Sequence, residues 1–302
     1  MLLNNPRMRL PLLMPTIVLF FSSILWGLSW LPLKALSNLG FDSLVIICIA
    51  YGSLFVTTLP LALKGLHCYK SNSLALTGIF FAGGLANLCF NYALIQGEVL
   101  RVMVLFYLLP VWGVLGGRFI LKEITSVWRW VGVVLAIVGA AILLEVHQLW
   151  KQPVSWIDII AIVSGLAFAA TILLFRGVEG VPLVIKLNAL FLGASVLSAS
   201  ALIISSSGES AFSFSPNTLW ICAFALGWLI WANLGSQWAC TKLPAGRSSI
   251  VMVMELVAAS VSAVIVGGEK LSVSLLVGGT LIFSATAIEI FSGLKQDSQS
   301  PP

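Results

Sequence analysis

Apolar residues run along this chain in blocks of about twenty, the length a helix needs to cross roughly 30 Å of hydrocarbon. Ten such blocks stand out, at 14–36, 43–63, 74–95, 99–121, 126–146, 156–176, 183–205, 217–240, 245–266 and 272–292. The turns between them are short and hold breakers: Ser37, Asn38 and Gly40 after the first, Gly177 to Pro182 after the sixth, Ser205 to Pro216 after the seventh. A membrane β-barrel would instead show segments of about ten residues with alternating polarity, and none occurs. The pattern predicts an all-α polytopic membrane protein with ten transmembrane helices and no loop large enough for a soluble domain. Arg7 and Arg9 precede the first block, which continues to Leu36 with no small-residue cleavage site after it, so it reads as an uncleaved span and not a signal peptide. The polar tail from Lys295 to Pro302 is predicted disordered.

Composition sharpens the picture. The chain has 302 residues, of which 59% are hydrophobic and 9% charged, with a mean hydropathy of +1.06. That is too little charge to cover a water-exposed surface. The net charge of +5 does not point to nucleic acid, because the basic residues sit singly at block ends. They fit contact with the lipid bilayer and the bias of Lys and Arg toward cytoplasmic loops. With the N-terminus inside, only Lys34, Arg101, Lys151 and Lys270 of the 16 Lys and Arg fall outside, which places both termini in the cytoplasm.

The most informative pattern is a repeat at an offset of 146 residues. Ala86-Asn87-Leu88 recurs as Ala232-Asn233-Leu234, Arg101 as Arg247, Glu123 as Glu269, Ser126-Val127 as Ser272-Val273, and Val131-Gly132 as Val277-Gly278. Apolar coincidences between helices are common, but the matches at Asn, Arg and Glu are not of that kind. Each half holds five spans, an odd number, so the second half enters the membrane inverted. The domain reading is a first five-helix repeat at 1–150, a second, inverted one at 151–294, and the tail at 295–302. Inverted repeats commonly underlie alternating access, with substrate held near the midplane between them.

At Leu25-Trp26-Gly27, Tyr107-Leu108-Leu109-Pro110-Val111 and Leu121-Lys122-Glu123, and in the second copy at Met254-Glu255-Leu256-Val257 and Gly268-Glu269-Lys270-Leu271-Ser272, the chain resembles the drug/metabolite transporter superfamily, specifically its EamA-type ten-span members. The resemblance implies cytoplasmic termini, a central cavity and transport of small metabolites, often amino acids moved outward. One departure is that the proline usual in both copies is present as Pro110 but replaced by Leu256 in the ninth span, which predicts a weaker second kink.

Several residues invite a functional reading. Asn87 and Asn91 are spaced i, i+4 on one face of the third span, and Asn233 and Gln237 form the same amide pair on the eighth. Amides are costly in hydrocarbon unless partnered. The pairs therefore either line a substrate cavity or glue helices together. Trp26, Tyr107 and Trp112 are aromatic candidates for the cavity wall, whereas Trp228, Trp231 and Trp238 lie opposite the amides on the eighth span. Glu255 reads as the only acid near the middle of a span, and it is either a proton-coupling or substrate-amine site or a buried structural carboxyl. Pro110 removes a backbone donor and predicts a kink. Glu123 and Glu269 precede helix starts and read as structural turn acids. Lys34 and Arg176 read as anchors that extend toward the membrane surface.

The five cysteines, Cys48, Cys68, Cys89, Cys222 and Cys240, have no metal spacing, and the two histidines, His67 and His147, stand alone. No metal, cofactor or membrane-enzyme constellation is implied, and without a P-loop neither is ATP-driven transport. The expected function is secondary transport of a small polar or amphipathic metabolite, amino-acid-like and exported across a bacterial inner membrane, with protons as the candidate coupling ion. The alternative is a non-transporting membrane scaffold or sensor.

Overall fold

The computed structural model describes residues 13–96, 99–123, 127–143, 145, 153–205, 218–266 and 272–298. Among these the regular structure is helical: α1 (Leu13–Gly27), α2 (Trp30–Asn38), α3 (Ser43–Leu63), α4 (Leu66–Ser71), α5 (Ser73–Gln96), α6 (Val99–Phe106), α7 (Leu109–Phe119), α8 (Val127–Leu143), α9 (Trp156–Gly177), α10 (Leu183–Ser205), α11 (Thr218–Phe224), a π-helical turn (Ala225–Leu229), α12 (Ile230–Lys242), α13 (Ala245–Met252), α14 (Met254–Ile265) and α15 (Val273–Ser298). Seven helical stretches are long and apolar enough to cross a membrane, and two shorter ones, Val127–Leu143 and Val273–Glu289, are also apolar. The protein is an all-helical integral membrane protein.

Local chemistry explains where these helices start and stop. Asp42 caps α3 by accepting from the Leu44 amide at 2.8 Å. Ser155 and Asp158 form a reciprocal capping box at the start of α9, which gives the buried Asp158 its role. In the stretch 99–119, α6 ends at Phe106 and α7 begins at Leu109, with Pro110 in the first turn, where its missing N–H removes no helical bond. The stretch 245–265 is also interrupted, at Val253, although no proline stands there. The Val253 amide reaches Ile250 O at 3.2 Å in a tighter turn, so the missing proline has not left this helix continuous. At the C-terminus, α15 runs through Lys295 to Ser298, past the point where a disordered tail was expected. Lys, Gln and Asp contain no helix breaker, and the first proline is Pro301.

The two halves of the chain interleave. α3 and α5 pack on α10, α5 also on α9, α7 on α13, α8 on α15, and α1 on both α12 and α14. Small residues permit the closest approaches. A Cβ placed on Gly139 would lie 2.8 Å from Gly278 O, so α8 and α15 touch backbone to backbone only because both positions lack a side chain. Around these contacts, Leu54, Ile79 and Phe191 centre one buried apolar cluster, and Val133, Ile250 and Ile282 centre another.

Candidate functional site: a cavity between the halves

A cavity enclosing about 620 Å³ of space not filled by protein atoms, its open mouth included, lies where both halves of the chain meet. α1, α2, α3, α5 and α6 supply one side of it; α11, the π turn and α14 supply the other. Its wall is mainly apolar, with five aromatic residues, Trp26, Trp30, Tyr51, Phe90 and Phe224, among aliphatic ones. Its polar groups are few: Ser29, Asn91 and Glu255.

Glu255 is placed by the interruption at Val253, which puts it in the first turn of α14, where the positive end of the helix favours a carboxylate. Gly27 lets α1 approach there. A Cβ on Gly27 would come within 2.8 Å of Ala258 Cβ and 3.0 Å of Ala259 N. The Tyr107 hydroxyl, in the gap between α6 and α7, neighbours the Glu255 carboxyl without the alignment of a full hydrogen bond. The two cavity tryptophans are held by their ring N–H groups, Trp30 Nε1 to Ser262 Oγ at 2.9 Å and Trp26 Nε1 to Ser236 Oγ at 3.4 Å.

The structure divides the residues singled out from the sequence. Trp26, Asn91 and Glu255 line the cavity. Asn87 and Asn233 are buried just behind it and are joined through Tyr51, whose hydroxyl donates to Asn87 Oδ1 at 2.5 Å and also engages the Asn233 side chain. Each asparagine donates to the carbonyl four residues earlier, Asn87 to Gly83 O at 2.8 Å and Asn233 to Leu229 O at 2.9 Å. Gln237 is buried one turn beyond. Tyr107 is buried beside Glu255, while Trp112 packs with the cluster around Leu109 and Leu243, away from the cavity lining. Trp228 donates to Leu25 O at 3.0 Å and Trp231 is exposed. From the eighth apolar stretch it is Phe224 and Leu229, flanking or within the π turn, that reach the cavity.

Glu123 has a more definite role than a turn acid ahead of its own helix. Its carboxylate accepts from the Ala245 amide at 3.0 Å, capping α13 from the other half, and pairs with Arg176 Nε at 3.5 Å. Arg176 is correspondingly no free anchor, since it also donates to Thr241 O and pairs with Glu179. The repeat partner Glu269 lies outside the described residues. Two further buried charged groups, Glu289 and Lys186, were missed from sequence. Glu289 on α15 is buried between Arg247 Nε at 3.1 Å and Arg129 Nε at 3.5 Å, so Glu255 is not the only acid enclosed by apolar helices. Lys186 is fully buried, its ammonium donating to Phe175 O, Val178 O and Thr241 Oγ1 at 3.1, 3.3 and 2.9 Å, which satisfies the C-terminal carbonyls of α9. The available signal was a charge inside an apolar run, as in Ala287-Ile288-Glu289-Ile290-Phe291, close enough to the block end to pass for a boundary.

Residues 13–145 match the model of the EamA-like transporter family. No curated protein matches. A solved crystal structure, described only as that of a protein, is similar with a TM-score of 0.72 at 16% identity, covering 94% of this chain and 99% of that one, and it supports the fold alone. The match falls on just under half of the chain, the part that carries Leu25-Trp26-Gly27 and Tyr107 to Val111, and it is to a transporter family of the drug/metabolite transporter superfamily, in keeping with the resemblance of those motifs.

Proposed function

We propose that the chain is a secondary transporter that exports a small polar or amphipathic metabolite, an amino acid or related compound, by alternating access. Two inverted five-helix halves, 1–150 and 151–294, move against each other around the cavity. The observation that carries this reading is that one cavity draws its wall from both halves and holds a carboxylate at a helix break. Two further features support the halves being equivalent. The fourth and ninth apolar stretches are both interrupted, at 107–108 and at Val253. The close contact of Gly139 with Gly278 also has its counterpart under the 146-residue offset, where a Cβ on Gly132 would lie 3.9 Å from Ala285 O.

In a bacterial inner membrane with both termini cytoplasmic, the cavity belongs to the outer half, because it is lined by Trp30 and Leu33 of α2, late in the first span, and by the first turns of α3, from Ile46 to Tyr51. The Glu123, Arg176, Glu289 and Lys186 contacts then close the cytoplasmic half. Glu255 is the proton-coupling candidate, and the titratable groups around it are Tyr107 and, across the cavity, Tyr51.

The test is counterflow in proteoliposomes preloaded with a mixture of amino acids and their amine and acid relatives, with mass spectrometry of what exchanges, with and without a pH gradient. Selective exchange of one class, faster with the gradient, is the expected result. No exchange by a demonstrably folded preparation would reject transport of these classes and favour a membrane scaffold.

A further inference from the structure

The hydrogen-bond inventory of the cavity says more about its ligand than its size does. Most of its lining donors are already used within the protein. Trp26 and Trp30 direct their ring N–H groups to Ser236 and Ser262, the Tyr51 hydroxyl donates to Asn87, and Asn91 donates one amide N–H to Asn87 O at 2.8 Å. What remains is mostly acceptor and π surface: the Glu255 carboxyl, the Asn91 amide with its Oδ1 and one N–H unspent, the aromatic rings, and the Ser29 hydroxyl, which can serve either way. No Lys or Arg is among the described lining residues. Beside the cavity, the Lys34 ammonium sits 5.8 Å from the centroid of the Trp30 ring, so this ring already takes a cation on its surface.

We propose that the cavity selects a monocationic amphipath, a primary ammonium group on an aromatic or aliphatic body, over the zwitterionic amino acid of the same skeleton. The ammonium would donate to Glu255 and Asn91 while the apolar body packs against Trp26, Trp30, Phe90 and Phe224. A substrate carboxylate would find neither a described cation nor a cluster of free donors in the lining. This inference rests on the cavity being the transport site and narrows the metabolite to an amine.

The experiment compares three probes that share a phenylalkyl body, phenethylamine, phenylalanine and 3-phenylpropionate, binding to the purified full-length protein by calorimetry and tryptophan fluorescence. Phenethylamine is expected to bind at least about tenfold more tightly than phenylalanine, a difference of about 1.4 kcal/mol, and phenylpropionate not measurably. Glu255→Gln is expected to lower amine affinity at least about tenfold, Trp30→Phe to preserve it, and Trp30→Ala to weaken it several-fold. If Glu255→Gln is not monodisperse, Asn91→Leu carries the test, with weakened amine binding expected. Phenylalanine binding as tightly as the amine would overturn the proposal and assign its carboxylate to Lys34. Unchanged amine affinity in a folded Glu255→Gln, or no binding of any probe, would overturn it too. Counterflow separates the two levels: amine bound but not exchanged refutes transport and leaves the site chemistry, whereas zwitterion exchanged without amine binding refutes this inference and leaves transport.

Discussion

Two regions of this protein hold carboxylates among apolar helices and treat them in opposite ways. At one end of the bundle, Glu289 is wedged between two buried arginines and Glu123 bridges Arg176 to the start of α13. Lys186 there is fully satisfied by helix carbonyls and Thr241. In the cavity, Glu255 faces aromatic rings, an amide and a tyrosine hydroxyl, with no described Lys or Arg in the lining. A charge in low dielectric is strongly disfavoured unless it is paired, neutralised or wetted. The first region answers that demand with protein partners and becomes a staple across the halves. The second leaves it to solvent, a proton or a ligand, which is what a binding site requires.

Three substitutions sharpen this contrast, beginning with the largest effect. Glu289→Gln removes the carboxylate that Arg129 and Arg247 share while all three stay 4% exposed or less, and it is expected to cost about 3–5 kcal/mol. Thermal unfolding in detergent, followed by fluorescence and size-exclusion profile, would show it as a large loss of stability. Near-wild-type stability would mean that this end is not stapled by charge. Glu123→Gln weakens one partly exposed ion pair and one cap, and a loss of about 1–2 kcal/mol is expected in the same assay, reduced by salt. Glu179→Ala touches an acid whose side chain is 48% exposed, and its pairs with Arg176 and Lys242 should contribute no more than about 0.5 kcal/mol. A reversed order among the three would contradict the burial argument.

Much of the architecture was legible in the sequence because hydrocarbon thickness dictates the length of apolar blocks, and helices occupy every block marked there. Cavity chemistry was partly legible. Trp26, Asn91 and Glu255 line the cavity, but the amide pairs divide: Asn91 reaches it while Asn87, Asn233 and Gln237 stay behind the wall. On the eighth stretch the reason lies in the backbone. Helical-face reasoning assumes 100° per residue, and the π turn at Ala225–Leu229 breaks that register on the eighth stretch, bringing Phe224 and Leu229 to the cavity. The ion pairs were illegible for a different reason. Arg247 and Glu289 lie 42 residues apart and Arg129 lies in the other half, so only tertiary packing brings them together. Trp112 had the composition of a cavity wall, but α7 turns it toward Leu109 and Leu243.

The contrast between the two regions is tested most directly by counterflow through purified wild type and Glu255→Gln in the same proteoliposomes, with and without an imposed pH gradient. If Glu255 is the group left open for proton and substrate, the variant keeps the wild-type fold and melting profile but loses the acceleration by the gradient and most of its exchange. Full exchange with unchanged pH dependence in Glu255→Gln would make this carboxyl a structural group like Glu289 and move the coupling site elsewhere.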